Sequence, residues 1–223
     1  MRKEYDTVIR ISSKRAEIVV EQENKGVVSR KTLSPSSLAK CILESRYDDS
    51  EHFSGLLPEH CLGVTISAAW TQYVIRYPEL YADISYFGTE YEHFPMPRLV
   101  FAFRHTPADG KIIGCRLCVV KDERLTMDSP TFIYPFSNVY AEGRICLGNN
   151  ALPAYKAPTR IYTLASFILR MPNNNDNYHP RNNRLELEYR ELLEHLKDKE
   201  PAYYYSDILI PNGHTLKDFI YGR

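Results

Sequence analysis

Net charge is what this chain most plainly lacks. Its 223 residues hold 28 Lys plus Arg against 28 Asp plus Glu, a formal charge of zero. A non-specific nucleic-acid binder needs a basic excess to neutralise phosphates, so the balance argues against that class. No apolar run approaches the roughly 20 residues that span a bilayer. The opening Met1–Asp6 is followed by no apolar stretch of the secretory kind, and the expectation is a cytoplasmic protein with no membrane partner. GxxxxGK[ST] and GxGxxG are both missing, which leaves a phosphate-cradling loop without support. The seven histidines are scattered, and none forms HExxH or another i, i+4 ligand pair.

What is present reads as an ordinary folded chain, 43% apolar and 25% charged. Five cysteines, at 41, 61, 115, 118 and 146, are an odd set for a disulfide framework in a chain without a signal segment. Each is then a small buried hydrophobe or a reactive thiol.

The first fifty residues read as an appendage, a β-hairpin plus a helix. Two β-branched runs, Thr7–Ser12 and Arg15–Glu21, flank Ser13-Lys14, and a third strand is expected near Val27–Arg30. Ser34 as cap and Pro35 at the first helical position open a helix. Its apolar set Leu38, Cys41 and Ile42 shares one face, which places Cys41 in a core. Residues 46–55 read as a linker, and 55–223 as the main domain.

That domain opens with strand-like runs, Tyr73–Tyr77, Tyr81–Phe87, Arg98–Arg104 and Lys111–Val120, with 64–70 open to either strand or helix. Thr106-Pro-Ala-Asp-Gly110 is a turn signal, so the flanking strands should pair antiparallel. Two helices follow. In 159–170 the residues Ile161, Leu164, Ala165, Ile168 and Leu169 form one stripe, and 183–197 carries Leu185, Tyr189, Leu192, Leu193 and Leu196. Strands then helices predict an α+β fold, an antiparallel β-meander backed by helices.

Cys115 and Cys118 make a CxxC pair, but within an alternating strand a spacing of three sends the two thiols to opposite faces. With no second ligand pair, the expectation is structural thiols and no metal or cofactor. Tyr203-Tyr-Tyr205 reads as an aromatic packing segment or a partner surface, with packing the favoured reading. The remaining segment, Tyr134–Gly148, holds Asn138, Gly143 and Cys146 in a composition suited to irregular backbone, and loops carry reactive groups more often than packed strands.

That segment resembles the active-site flap of ubiquitin-conjugating enzymes. The family pattern is His-Pro-Asn, a β-branched residue, Tyr, two variable residues, Gly, a variable residue, Ile or Val, then Cys-Leu. Asn138-Val-Tyr140, Gly143, Ile145 and Cys146-Leu147 fall in register, while Phe136 and Ser137 replace the His and Pro. Pro172-Asn-Asn-Asn-Asp176 matches the family's Pro-Asn-x-x-Asp loop. Leu56-Leu-Pro58, His93-Phe-Pro-Met-Pro97 and the Cys-Leu-Gly-Asn ending of the flap are similar to prokaryotic ubiquitin-conjugating-like family D.

The resemblance implies a ubiquitin-conjugating-enzyme-like fold and a Cys146 thioester, with Asn138 as oxyanion donor or loop organiser and Asp176 orienting the incoming amine. It implies as partners a ubiquitin-like protein, an adenylating activating enzyme, a JAB-type metalloprotease in the same pathway and a protein target, in a bacterial operon for antiviral defence or plasmid biology. Two other readings stay open. One is a non-catalytic RWD- or variant-type binding module of the same fold. The other is a cysteine hydrolase built on Cys146, His179 and an Asn or Asp.

Overall fold

The computed structural model describes residues 6–12, 14, 17–24, 26–45 and 54–222. The expected turn residue Ser13, the start of the second strand at 15–16 and most of the 46–55 linker lie outside them. The chain divides into two compact units, Met1–Phe53 and Ser54–Arg223.

In the first unit, β1 (Asp6–Ile11), β2 (Ile18–Asn24) and β3 (Val27–Leu33) form an antiparallel sheet, followed by α1 (Pro35–Ser45). Ser34 Oγ accepts the Ser37 N–H at 3.1 Å, the cap that its position suggested. The placing of Cys41 in a core is corrected, because Cys41 is exposed. A small sheet gives a helix little to bury against, and Ile18 alone is buried among this unit's described residues.

The second unit is mixed α and β with antiparallel pairing. Its strands are β4 (Cys61–Ile66), β5 (Thr71–Tyr77), β6 (Leu80–Tyr86), β7 (Thr89–Met96), β8 (Leu99–His105), β9 (Ile112–Val120), β10 (Pro130–Phe132) and β11 (Pro211–Thr215). They form a six-stranded sheet of order β11-β10-β9-β8-β5-β4 and a separate β6-β7 hairpin. The expected meander is therefore interrupted: β6-β7 peel away, and β5 pairs directly with β8. The β8-β9 hairpin is antiparallel, and Gly110 at φ +74° supplies the positive φ that its turn requires.

The helices are shorter than the apolar stripes suggested. A 3₁₀ turn, Pro158–Thr163, leads into α2 (Leu164–Leu169), and all five stripe residues are buried. The predicted helix over 183–197 reduces to α3 (Tyr189–Leu196), and Leu185 is 41% exposed. Asn183 is the reason. Its fully buried side chain accepts the Leu187 N–H at 3.2 Å and donates to the Pro180 carbonyl at 2.9 Å, a local network that competes with helix. The chain also does not end with that helix, since β11 and α4 (Leu216–Tyr221) follow. Thr215 and Asp218 cap α4 reciprocally, and Gly222 closes it at φ +72°.

Alternation in the strands divides the core in two. Phe101, Phe103, Cys115 and Leu117 face α2 and α3, while Val100, Ala102, Cys118 and Val120 pack with Leu216 and Phe219 of α4. Cys115 and Cys118 thus serve opposite faces, as the spacing required. Tyr204 is fully buried and donates to the Pro95 carbonyl at 2.8 Å, so the Tyr203–Tyr205 run packs. Among the described residues no helix is long and apolar enough to cross a membrane.

Candidate active site

The segment after β10 is anchored at its start by what stands in place of His and Pro. Phe136 is 2% exposed, with Tyr134, Phe94 and Tyr204 edge-on around it at ring-centre distances of 5.3–6.1 Å. Ser137 is buried and donates to Asn173 Oδ1 at 2.8 Å. These contacts fasten the flap to the loop after α2.

Asn138 then turns the chain through φ +64°, a left-handed conformation that Asn tolerates better than most residues. Its N–H donates to the Asp176 carbonyl at 3.3 Å, and its Nδ2 to the Pro172 carbonyl at 3.0 Å. The flap doubles back at Tyr140–Arg144, where Gly143 N–H meets the Tyr140 carbonyl at 2.8 Å. Gly143 has φ +82°, and a Cβ there would lie 2.6 Å from the Leu117 carbonyl oxygen. That closeness lets Leu117 N–H reach the Gly143 carbonyl at 2.7 Å, while Ile145 N–H reaches the Cys115 carbonyl at 3.0 Å. The flap is therefore stitched to β9 like a short extra strand.

Cys146 follows directly. It is half-buried, and its N–H donates to the Asn138 carbonyl at 2.7 Å. The Tyr140 hydroxyl donates to its Sγ at 3.6 Å. Arg144 holds that ring from above, its guanidinium carbon 3.8 Å from the ring centre, and is itself paired with Glu142 at 3.2 Å. Downstream, the Tyr155 carbonyl takes a hydrogen bond from His105 Nε2 at 2.8 Å and the Tyr155 N–H bonds to the Gly110 carbonyl at 2.7 Å. The chain beyond the thiol is thereby tied to the β8-β9 turn.

The other thiols sit in different environments. Burial pushes Cys115 up from 9.0 to about 12 and Cys118 higher still, and it raises half-buried Cys61. Such thiols stay protonated at neutral pH and are inert as nucleophiles. Cys41 is exposed and Cys146 half-buried, and the Tyr140 hydroxyl is a donor to the Cys146 sulfur.

The structure brings Cys146, Asn138 and Asp176 into one main-chain network, with the Asp176 carboxylate bonded to Asn174 Nδ2 at 2.9 Å. It does not bring His179 to the thiol. His179 Nδ1 accepts the Arg181 N–H at 3.0 Å and caps the short turn Pro180–Asn182, with no hydrogen bond or ring contact to Cys146. Tyr140 is the site residue that sequence reasoning passed over. Its signal was the tight turn around Gly143, which folds position 140 back beside 144–146. A groove of about 410 Å³ runs between Asn150, Phe167, Arg170 and Pro172, at the foot of the same loop that Asn138 holds. Among the described residues no three His, Cys, Asp or Glu converge to hold a metal.

A family model for prokaryotic E2 family D matches residues 46–211, about three quarters of the chain. The chain belongs to prokaryotic E2 family D. Comparison with curated proteins and with solved structures returns no match. The match spans β4 to β10, the flap and the 172–176 loop, and stops at the first residue of β11. Membership in an E2-like family suggests a role in a ubiquitin-like conjugation pathway, in company with a ubiquitin-like protein and the enzymes that handle it. Within family D, this chain carries its flap on Phe136 and Ser137.

Proposed function

We propose that this family D protein is a conjugating enzyme that carries a ubiquitin-like protein as a thioester on Cys146 and passes it to a target amine. The observation that carries the reading is the flap: an accessible thiol with a hydroxyl donor at its sulfur, on backbone fixed by Asn138. Residues 55–223 are then the catalytic domain, with a ubiquitin-conjugating-enzyme-like fold, and 1–50 an appendage. The setting is the cytoplasm, where thiols stay reduced. The partners are an adenylating activating enzyme and, for reversal, a JAB-type metalloprotease, in a bacterial pathway of antiviral defence.

Chemically, the Cys146 thiolate attacks the carbonyl carbon of the thioester on the activating enzyme, and that enzyme's thiolate leaves. An amine of the target then attacks the Cys146 thioester, loses its proton, and expels the Cys146 thiolate. Tyr140 supplies a donor to the sulfur as it takes up charge. Asn138 orders the wall of the site and has one Nδ2 hydrogen left beyond its bond to Pro172 for the oxyanion. Asp176 orients the amine.

The test is reconstitution with the activating enzyme, ATP and the ubiquitin-like protein. A product that vanishes with thiol reductant and is absent from Cys146→Ala supports the reading. No adduct under conditions where the activating enzyme is itself loaded would leave a binding module, and release of free ubiquitin-like protein from a peptide-extended precursor would indicate a hydrolase.

A further inference from the structure

Behind the flap lies a cleft of about 940 Å³ whose walls do not include Cys146. Arg116 of β9, Tyr140 of the flap, His179, Tyr134 and His214 are among the residues on its walls. Its size falls within the range of small-molecule sites.

The walls of this cleft carry several donors with unused capacity. Arg116 is half-buried and donates only to neutral carbonyls, Nη1 to Phe219 at 2.8 Å and Nη2 to Glu142 at 3.1 Å. Among the described residues no carboxylate forms an ion pair with it. Arg104, on the same wall, gives Nε to Gln72 at 3.2 Å and otherwise rests over the Trp70 ring at 4.7 Å. His179 accepts through Nδ1, so the ring proton sits on Nε2 and makes that nitrogen a donor. The Tyr134 hydroxyl makes no hydrogen bond to a described residue, and burial pushes it well above its ordinary value. The carboxylate on the wall, Glu142, is held by Arg144. Cations and neutral donors have spare capacity here, beside the side-chain amides of Asn177 and Asn182, which can donate as well as accept.

We propose that this cleft binds a small organic anion bearing a phosphate or carboxylate group, with Arg116 as its charged anchor and the Tyr134 hydroxyl as a neutral donor. Guanidinium groups bind planar and tetrahedral oxyanions by paired N–H donation, and an anion adds a charged hydrogen-bond partner to a half-buried cation whose own hydrogen bonds go to backbone carbonyls. This site stands apart from the thioester reading, since its residues bind whether or not Cys146 is acylated.

The experiment is calorimetric titration of the full chain at low salt with adenosine monophosphate, inorganic phosphate and citrate in turn. At least one should bind with a Kd below about 1 mM. Tight binding by the nucleotide alone assigns a ring-bearing phosphate, and preference for citrate assigns a carboxylate ligand. Arg116→Gln should weaken binding about ten-fold or more and Arg116→Lys less. Because Arg116 also ties the flap to α4, Tyr134→Phe is the second variant. It keeps the ring in place and should weaken binding several-fold. Binding should persist in Cys146→Ala, which separates this site from the fate of the thioester. If none of the three anions binds at about 5 mM, or if Arg116→Gln and Tyr134→Phe both bind as the parent does, the proposal is overturned.

Discussion

Asn138 and Cys146 are joined main chain to main chain: the Asn138 carbonyl accepts the Cys146 N–H at 2.7 Å, while the Asn138 N–H reaches on to the Asp176 carbonyl at 3.3 Å. The backbone of one residue therefore positions both the thiol and the acidic loop. Substitutions here separate backbone roles from side-chain roles.

Asn138→Gly keeps a residue at ease with φ +64° and removes the amide, whereas Asn138→Ala removes the amide and adds strain of about 1–2 kcal/mol. Both should load within a few-fold of the parent and discharge to an amine about 10²-fold more slowly. Only the alanine variant should also unfold at lower denaturant. Single-turnover discharge assays and urea titration check the pair.

Tyr140→Phe removes the donor 3.6 Å from the Cys146 sulfur and leaves the ring under Arg144. The bond is long, and its loss should cost about 1 kcal/mol, or roughly five-fold in the rate of iodoacetamide alkylation at pH 7. An unchanged rate would remove Tyr140 from the thiol's chemistry.

Native alkylation should modify Cys41 and Cys146 and spare Cys115 and Cys118 until the protein unfolds, as peptide mass mapping would show. The buried thiols also set a pH dependence. Cys115 stays protonated in the folded state up to about 12 but ionises near 9.0 when unfolded. Ionisation then favours the unfolded chain, so stability is full below pH 9 and falls as pH rises through that window, by about 1 kcal/mol from this residue by pH 10. Cys115→Ala, measured against the parent by urea unfolding at pH 8 and pH 10, should show the smaller loss.

Phe136→Ala should destabilise by about 3–5 kcal/mol, because it empties the centre of a ring cluster. Phe136→His restores the residue usual among ubiquitin-conjugating enzymes at the cost of burying an imidazole without an assigned partner. It should cost about 1–3 kcal/mol. Chemical denaturation ranks the two.

Asp176→Ala should slow discharge at pH 7, with a deficit that shrinks as pH rises and the acceptor amine loses its proton unaided. Loading should not change. A deficit constant across pH would assign Asp176 to loop structure through its bond with Asn174.

Legibility differed by the range of the forces involved. The Asp109-Gly110 turn, the alternation of β8 and β9 and the helical stripe at 161–169 are local patterns, and the structure follows them. The β6-β7 hairpin could not be separated from the sheet by sequence, because which strands pair is a tertiary choice made by the core on both faces of β5 and β8. The helix expected from 183 was cut back by the side chain of Asn183, whose partners Pro180 and Leu187 are near in sequence but specify no period. β11 and α4 had a signal that went unread, a Thr215-x-x-Asp218 box with Leu216 and Phe219 on one face and Gly222 behind. At the site, the spacing of Asn138, Gly143 and Cys146 was open to reading. The hydroxyl of Tyr140 at the sulfur depends on how the flap folds back, which no spacing states.

The chain holds a single tryptophan, and Trp70 is the residue beneath Arg104 at the wall of the cleft. An indole's emission responds to a cation held over its face. An anion anchored by Arg116, within electrostatic reach of Arg104, would change the field over that indole and so its emission, an optical readout of the proposed site that needs no attached dye.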